Sequence, residues 1–139
     1  GPARCPDLRG RRSLEIASVI GIGIDAVDVD RFRVSLHRTP TLRTRLFTEE
    51  ELQYLAPRVD PVPGLAARFA AREAAMKALD QGLGAWGFHD ISVVRDGLGP
   101  PRLLVVGRAA EVASGFGVRS WKVSLTHTDT VAMAVVTAL

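Results

Sequence analysis

Asp25, Glu73 and His127 are the residues whose type and setting could do chemistry. Asp25 ends the apolar run S-V-I-G-I-G-I of residues 18–24. A carboxylate at a strand exit can hold a hard cation through oxygen; the same residue also suits a helix cap or a loop. Glu73 stands in R-F-A-A-R-E-A-A-M-K-A, Arg68 to Ala78, with Arg72 beside it and Lys77 one turn on. Glu followed by Lys at i+4 is an ordinary exposed ion pair worth roughly 0.2–0.5 kcal/mol. Against that reading, the flanking alanines leave space for a carboxylate in a narrow cleft. Mg²⁺ takes one or two carboxylates and completes its shell with water and phosphate oxygens. Two acidic residues from separate elements, beside Arg and Lys, therefore suffice for a pyrophosphate substrate. His127, in S-L-T-H-T-D, falls at the tip of an expected hairpin. It reads either as a solvated or structural histidine or, with the hydroxyls of Thr126 and Thr128 and the turn amides, as a phosphate contact.

Several familiar sites are excluded. G-I-G-I-D at Gly21 to Asp25 lacks the third glycine of a dinucleotide fingerprint, and Asp25 stands where phosphate would approach. There is no P-loop, no G-x-S-x-G elbow and no Cys/His metal spacing.

A second feature is electrostatic. Between Arg31 and Leu46 lie Arg31, Arg33, Arg38, Arg43 and Arg45, one histidine and no carboxylate. Arg31 and Arg38 are two helical turns apart on one face, with Phe32 and Leu36 on an adjacent stripe. A basic face with an apolar stripe suits an acidic amphipathic partner helix. Nucleic acid competes less well, because the patch has one aromatic and a proline interrupts it. A solvated arginine face is the plain alternative.

The elements that must position these groups follow from local signals. Residues 18–24 alternate Val and Ile with small residues, the pattern of a buried strand with something close against its backbone. Asp28 is an N-cap for a helix that must stop before Thr39-Pro40. Thr39 is expected to cap a short second helix with Pro40 at its first position. Thr48 and Glu51 form a capping box for a third helix ending near Pro57. Residues 57–64 read as a loop. Leu65 to Leu79 is the strongest helix, closed by Gly82 and Gly84. Asp90–Val94 with Arg102–Val106, and Lys122–Thr126 with Val131–Thr137, read as two hairpins flanking a short helix over Arg108–Ser114. Strand, helices, two strands, helix, two strands is α+β, with a mostly antiparallel sheet packed by one long helix and shorter ones.

The chain has 139 residues and a formal net charge of +3, enough for one core. No apolar run approaches the roughly 20 residues of a membrane span. Gly1 to Arg12 is basic and turn-rich and lacks the apolar core of a secretory signal, and residues 1–17 are set apart from the domain. They read as an N-terminal extension, tag-derived or disordered, ahead of a single domain at 18–139. The one cysteine, Cys5, cannot form an internal disulfide, and a cytoplasmic location is expected.

Three ordered motifs carry a resemblance: G-I-G-I-D-A-V-D-V-D-R-F at Gly21–Phe32, R-F-A-A-R-E-A-A-M-K-A-L at Arg68–Leu79, and V-S-L-T-H-T-D-T-V-A-M-A-V-V at Val123–Val136. A fourth, G-P-P-R-L at Gly99–Leu103, is similar to a Gly-x-Pro turn. Together they resemble the small, trimer-forming holo-acyl-carrier-protein synthases among the 4′-phosphopantetheinyl transferases. The resemblance implies Mg²⁺ on Asp25 and Glu73, and coenzyme A as co-substrate. Lys77 would lie near the phosphates and Arg68 in the substrate site. His127 and Thr128 would be coenzyme A contacts supplied by a neighbouring subunit, and Gly99 and Pro100 the turn beside the adenine. Arg31, Phe32, Arg38 and Arg45 would dock an acidic acyl carrier protein of fatty-acid or polyketide synthesis. Glu73 is the first choice of base for the carrier serine and His127 the second. A non-catalytic carrier-binding module of the same fold is the alternative. Two departures stand out: Arg72 replaces the usual Lys before the helix Glu, and Met76 replaces a small residue or Ser before Lys77.

Overall fold

The computed structural model describes residues 18–139, so the expectations for residues 1–17, Cys5 included, lie outside the described residues. Its elements are β1 (Gly21–Asp28), α1 (Val29–Arg38), α2 (Leu42–Leu46), α3 (Glu49–Leu55), α4 (Val62–Ala78), a 3-10 turn (Phe88–Asp90), β2 (Ile91–Val94), β3 (Arg102–Val105), α5 (Gly107–Gly115), β4 (Trp121–His127) and β5 (Val131–Ala138). Strands β1, β5 and β4 form one antiparallel sheet with β5 central, and β2 and β3 form a separate hairpin. The α+β expectation is met.

The join between α4 and the sheet sets the geometry of everything else. Gly21 and Gly23 turn their missing side chains towards α4: a Cβ on Gly21 would lie 1.7 Å from the Ala78 carbonyl oxygen, and one on Gly23 1.8 Å from that of Ala74. The helix meets them with Ala70, Ala71, Ala74, Ala75 and Ala78, all buried, and β5 adds Ala132, Ala134, Val136 and Ala138. Small residues on both sides bring backbone against backbone. This is the close approach expected from the alternation in β1. Along β1, Gly21, Gly23, Asp25 and Val27 face the helix. Ile22 and Ile24 face away, 66% and 54% exposed.

Several boundaries differ from expectation. Asp25 does not end β1; it lies mid-strand, paired with Ala134 of β5. A carboxylate breaks an apolar run in sequence, but on an edge strand it needs only a cation on its own face, and Lys77 supplies one. Asp28 caps α1 as expected, its Oδ1 accepting from Arg31 N–H at 2.9 Å. Thr39 does not cap the second helix. It is the C-cap of α1, and Thr39-Pro40 form a turn whose Thr39 carbonyl accepts from Leu42 N–H, so α2 begins two residues late. Helix α4 begins at Val62, shortening the expected loop. Pro61 and Pro63 are tolerated there because first-turn amides have no partner inside the helix. The helix closes through Asp80 at φ 54 and the bond from Gln81 N–H to Met76 O, before either expected glycine. The Thr48–Glu51 capping box is present.

Candidate active site

The C-terminal half of α4 and the middle of β1 bring three of the expected residues together. Lys77 Nζ lies 3.1 Å from Asp25 Oδ1 and donates to the Ile24 carbonyl at 3.0 Å. Glu73 stands one turn earlier on the same helix, half-buried. Burial, and then the negative charge of Asp25, raise the proton affinity of Glu73, against the opposing pull of Lys77. The simple i,i+4 pairing of Glu73 with Lys77 is therefore not the arrangement found: the lysine reaches across to β1. Two carboxylates from separate elements sit near enough to repel, and a cation between them would relieve that repulsion.

Mg²⁺ fits this donor set. Among the described residues no group of three or more His, Cys, Asp and Glu gathers as a metal cage. Two carboxylates are still enough for a cation that takes its remaining ligands from water and phosphate. Asp25 and Glu73 would hold it.

Arg68 lies five residues before Glu73, about 7.5 Å along the helix axis, and opens a second site. It is 5% exposed; Nη1 donates to Gly64 O at 3.2 Å, and Nε has no partner. Its guanidinium stacks 5.2 Å from the Tyr54 ring centroid. Arg58, Arg68, Arg95 and His127 line an open pocket of about 290 Å³. Burial and the charges of Arg58 and Arg95 lower the proton affinity of Arg68, against Glu51 and Tyr54. Three guanidiniums around one cavity, with a buried N–H to spare, are suited to an anion.

His127 belongs to this pocket. Asp25 and Leu125 flank Ala134 on opposite sides of β5, and His127 lies two pairs further along. It shares the inner face of the sheet with Asp25, but β5 intervenes. Two strand spacings and two residue rises put their Cα atoms roughly 12 Å apart. Within one chain, His127 therefore stands apart from the carboxylate pair. Thr128 organises the same turn, its Oγ1 accepting from Thr130 N–H at 3.2 Å and Val131 N–H at 3.1 Å.

The remaining expectations divide. Gly99 donates its N–H to Asp96 O at 2.9 Å, closing the β2–β3 turn that leads into Pro100. That turn borders a groove lined by Tyr54, Arg95, Asp96 and Arg102. Arg31, Arg38 and Arg45 are exposed, whereas Arg33 is engaged with Asp60 through two hydrogen bonds of 2.9 and 2.7 Å. Phe32 corrects the expected docking set: it is 8% exposed, with its ring 5.4 Å from Phe69 and 6.2 Å from Phe47. At its position the apolar stripe of α1 turns inward, so Phe32 anchors the helix rather than meeting a partner. Arg72 also departs from expectation. It is buried, bound to Glu51 and to Phe88 O, and stands away from the carboxylate cleft. Met76 is buried in the core.

Sequence reading missed Arg58, Arg95 and the second duty of Glu51. Arg58 and Arg95 each sit beside turn residues, a weak signal at best. Glu51 announces a capping box but not a partner 21 residues away.

Residues 21–136 match the family model described as the 4′-phosphopantetheinyl transferase superfamily. The chain belongs to that family. A holo-[acyl-carrier-protein] synthase of Streptomyces avermitilis is 49% identical over 121 residues, covering 87% of this chain and 98% of the relative. The crystal structure of holo-[acyl-carrier-protein] synthase from Neisseria meningitidis superposes with a TM-score of 0.79 at 30% identity, covering 88% of this chain and 99% of that one. The Helicobacter pylori synthase, solved in complex with coenzyme A, gives 0.70 at 26% identity over 85% and 99%. Residues 21–136 contain Asp25, Arg68, Glu73, Lys77 and His127, so the whole candidate site lies within the span that defines this transferase family.

Proposed function

We propose that the chain is a holo-[acyl-carrier-protein] synthase, transferring 4′-phosphopantetheine from coenzyme A to a serine of an apo acyl carrier protein and releasing adenosine 3′,5′-bisphosphate. The cluster of Asp25, Glu73 and Lys77, in a chain 49% identical to such a synthase, carries this reading.

The reaction forms a bond from the serine oxygen to the β-phosphorus of coenzyme A and breaks the bridging P–O bond, whose electrons stay with the bisphosphate. Mg²⁺ on Asp25 and Glu73 would neutralise charge on the pyrophosphate oxygens. Lys77, 55% exposed at the same cleft, adds positive charge for the leaving phosphate. Glu73, half-buried in the same cleft, is the first choice to accept the serine proton. His127, about 12 Å from Asp25 across β5, is better suited to binding than to that step. Coenzyme A is long and carries a 3′-phosphate. With its pyrophosphate at the carboxylates, its adenosine end suits the pocket of Arg58, Arg68 and Arg95, beside the Gly99-Pro100 turn.

Arg31, Arg38 and Arg45 are the proposed docking face for an acidic carrier of fatty-acid or polyketide synthesis, within the cytoplasm. No helix of the described residues is long and apolar enough to cross a membrane. A homotrimer is the proposed assembly. The outer face of the three-stranded sheet, with Ile22 and Ile24 exposed and Met133 and Val135 beside them, suits a second copy as its cover. His127 and Thr128 at the end of that sheet could then also serve a neighbouring subunit's site.

The test is the mass of an apo carrier incubated with the protein, coenzyme A and Mg²⁺. A gain of one phosphopantetheine group, lost in Asp25→Ala with the fold intact, is expected. An unchanged carrier mass overturns the reading.

A further inference from the structure

Lys77 is more than a phosphate ligand in waiting. Its ammonium donates to a carboxylate oxygen and to a backbone carbonyl oxygen, Asp25 Oδ1 at 3.1 Å and Ile24 O at 3.0 Å. A carboxylate and a carbonyl are also the oxygen donors that hard cations take. The ammonium contact is made from α4 across to β1, although Glu73 on the same helix was the nearer partner by sequence. The side chain of Asp25 is 19% exposed and that of Lys77 is 55% exposed. The carboxylate is thus sheltered, and the lysine reaches it from the solvent side on a flexible stem.

We infer that Lys77 is the resident counter-ion of the Asp25–Glu73 site, and that it must leave Asp25 for a divalent cation to bind there. The inference rests on the metal site proposed above. Its consequence is a coupling. In the free protein the lysine competes with the metal for Asp25. Once released, its ammonium is available to the pyrophosphate that arrives with coenzyme A. Metal and pyrophosphate then favour one another through Lys77, beyond their direct contact. The free protein binds the cation weakly and the substrate-loaded protein binds it well. Such a coupling is reciprocal between the two ligands.

Mn²⁺ is the probe, titrated into the protein without coenzyme A and followed by the electron paramagnetic resonance signal of the free ion. Lys77→Met keeps the aliphatic length and removes the competing charge. It should bind Mn²⁺ about two- to fivefold more tightly than the parent, the size expected of releasing a partly screened ion pair. Lys77→Arg, which retains the charge, should stay near the parent value. Adding coenzyme A should tighten Mn²⁺ binding in the parent by a larger factor than in Lys77→Met. Asp25→Asn should weaken Mn²⁺ binding in either background. Unchanged or weaker Mn²⁺ binding by Lys77→Met overturns the inference, as does Mn²⁺ binding that ignores Asp25→Asn. The two readings fail separately. A parent protein that leaves the apo carrier unmodified refutes the transferase assignment. A parent that modifies it, with a Lys77→Met variant of unaltered Mn²⁺ affinity, refutes the counter-ion role alone.

Discussion

Glu51 of α3 and Arg72 of α4 grip each other through two parallel hydrogen bonds, Nη1 to Oε2 at 2.9 Å and Nη2 to Oε1, with their side chains 0% and 1% exposed. The same carboxylate accepts from Val93 N–H at 3.0 Å and from Thr48 N–H at 3.0 Å. Arg72 Nε donates to Phe88 O at 2.9 Å. One buried pair therefore ties α3, α4, β2 and the 3-10 turn together, one residue from Glu73. Removing a single partner leaves a buried charge unpaired, which costs about 3–5 kcal/mol. Glu51→Ala should lower the stability measured by urea titration by that amount. Arg72→Lys should also be destabilising, because an ammonium cannot reproduce the bidentate fork.

The pair also carries a pH dependence. Burial pushes the Glu51 carboxyl up, but the hydrogen bonds and charge of Arg72, with the Val93 and Thr48 amides, outweigh it and hold it below its ordinary value. A lowered folded value means that the contribution to stability is fully present above the unfolded carboxylate value of about 4.3. It is lost as pH falls below that through the folded value. Urea titrations between neutral and strongly acidic pH should show a fall in the parent that is shallower in Glu51→Gln. Equal slopes in the two proteins would remove Glu51 from the acid response.

Local signals made most elements legible. The Asp28 cap, the Thr48–Glu51 box, the alanine-rich α4 and both hairpins depend on neighbours a few residues apart, and they appear where such patterns predict. The glycines of β1 announced a close neighbour without saying which. What stayed hidden depends on distant partners. Asp25 remains in its strand because Lys77 is 52 residues away in sequence and adjacent in space. Arg72 looked like a neighbour of Glu73 until Glu51, 21 residues earlier, proved to claim it. Phe32 was legible as one member of an apolar stripe, but not as the inward-facing one. Arg58 and Arg95 converge on Arg68 from separate turns, and no spacing rule joins them.

Gly23 tests the contact that positions the carboxylates. A methyl group there would meet the Ala74 carbonyl at 1.8 Å, backbone against backbone, with no flexible side chain to yield. Gly23→Ala should cost at least about 2 kcal/mol, the scale of overpacking in a tight core. Because α4 must shift away from β1, phosphopantetheine transfer should fall further than the loss of folded protein explains. Activity measured per folded molecule after urea titration checks this; full specific activity would separate the helix contact from the site.

The arginine pocket makes a ligand-specific prediction. Charge-assisted hydrogen bonds contribute roughly 1.5–3 kcal/mol each. Arg58→Ala with Arg95→Gln should therefore raise KM for coenzyme A about tenfold or more, with kcat largely kept. The same variant should leave KM for 3′-dephospho-coenzyme A near that of the parent. A rise of similar size for both substrates would assign these arginines to something other than the 3′-phosphate.

The basic face of α1 and α2 can be separated from the chemistry. Arg31, Arg38 and Arg45 are exposed, and none appears among the described ion pairs, where Arg33 meets Asp60. Their charges are thus available to a partner, whereas Arg33 is already matched. Arg31→Glu with Arg38→Glu should raise the carrier KM by on the order of tenfold, since each reversal replaces an attraction with a repulsion across the interface. The coenzyme A KM should hardly change. Salt weakens exposed charge pairs, so the parent's carrier KM should rise with ionic strength more steeply than the variant's. Reversal at Arg33 should instead read out as lost stability, through its ion pair to Asp60 at the start of α4. Equal effects of the Arg31 and Arg38 reversals on both substrates would move the carrier to another face.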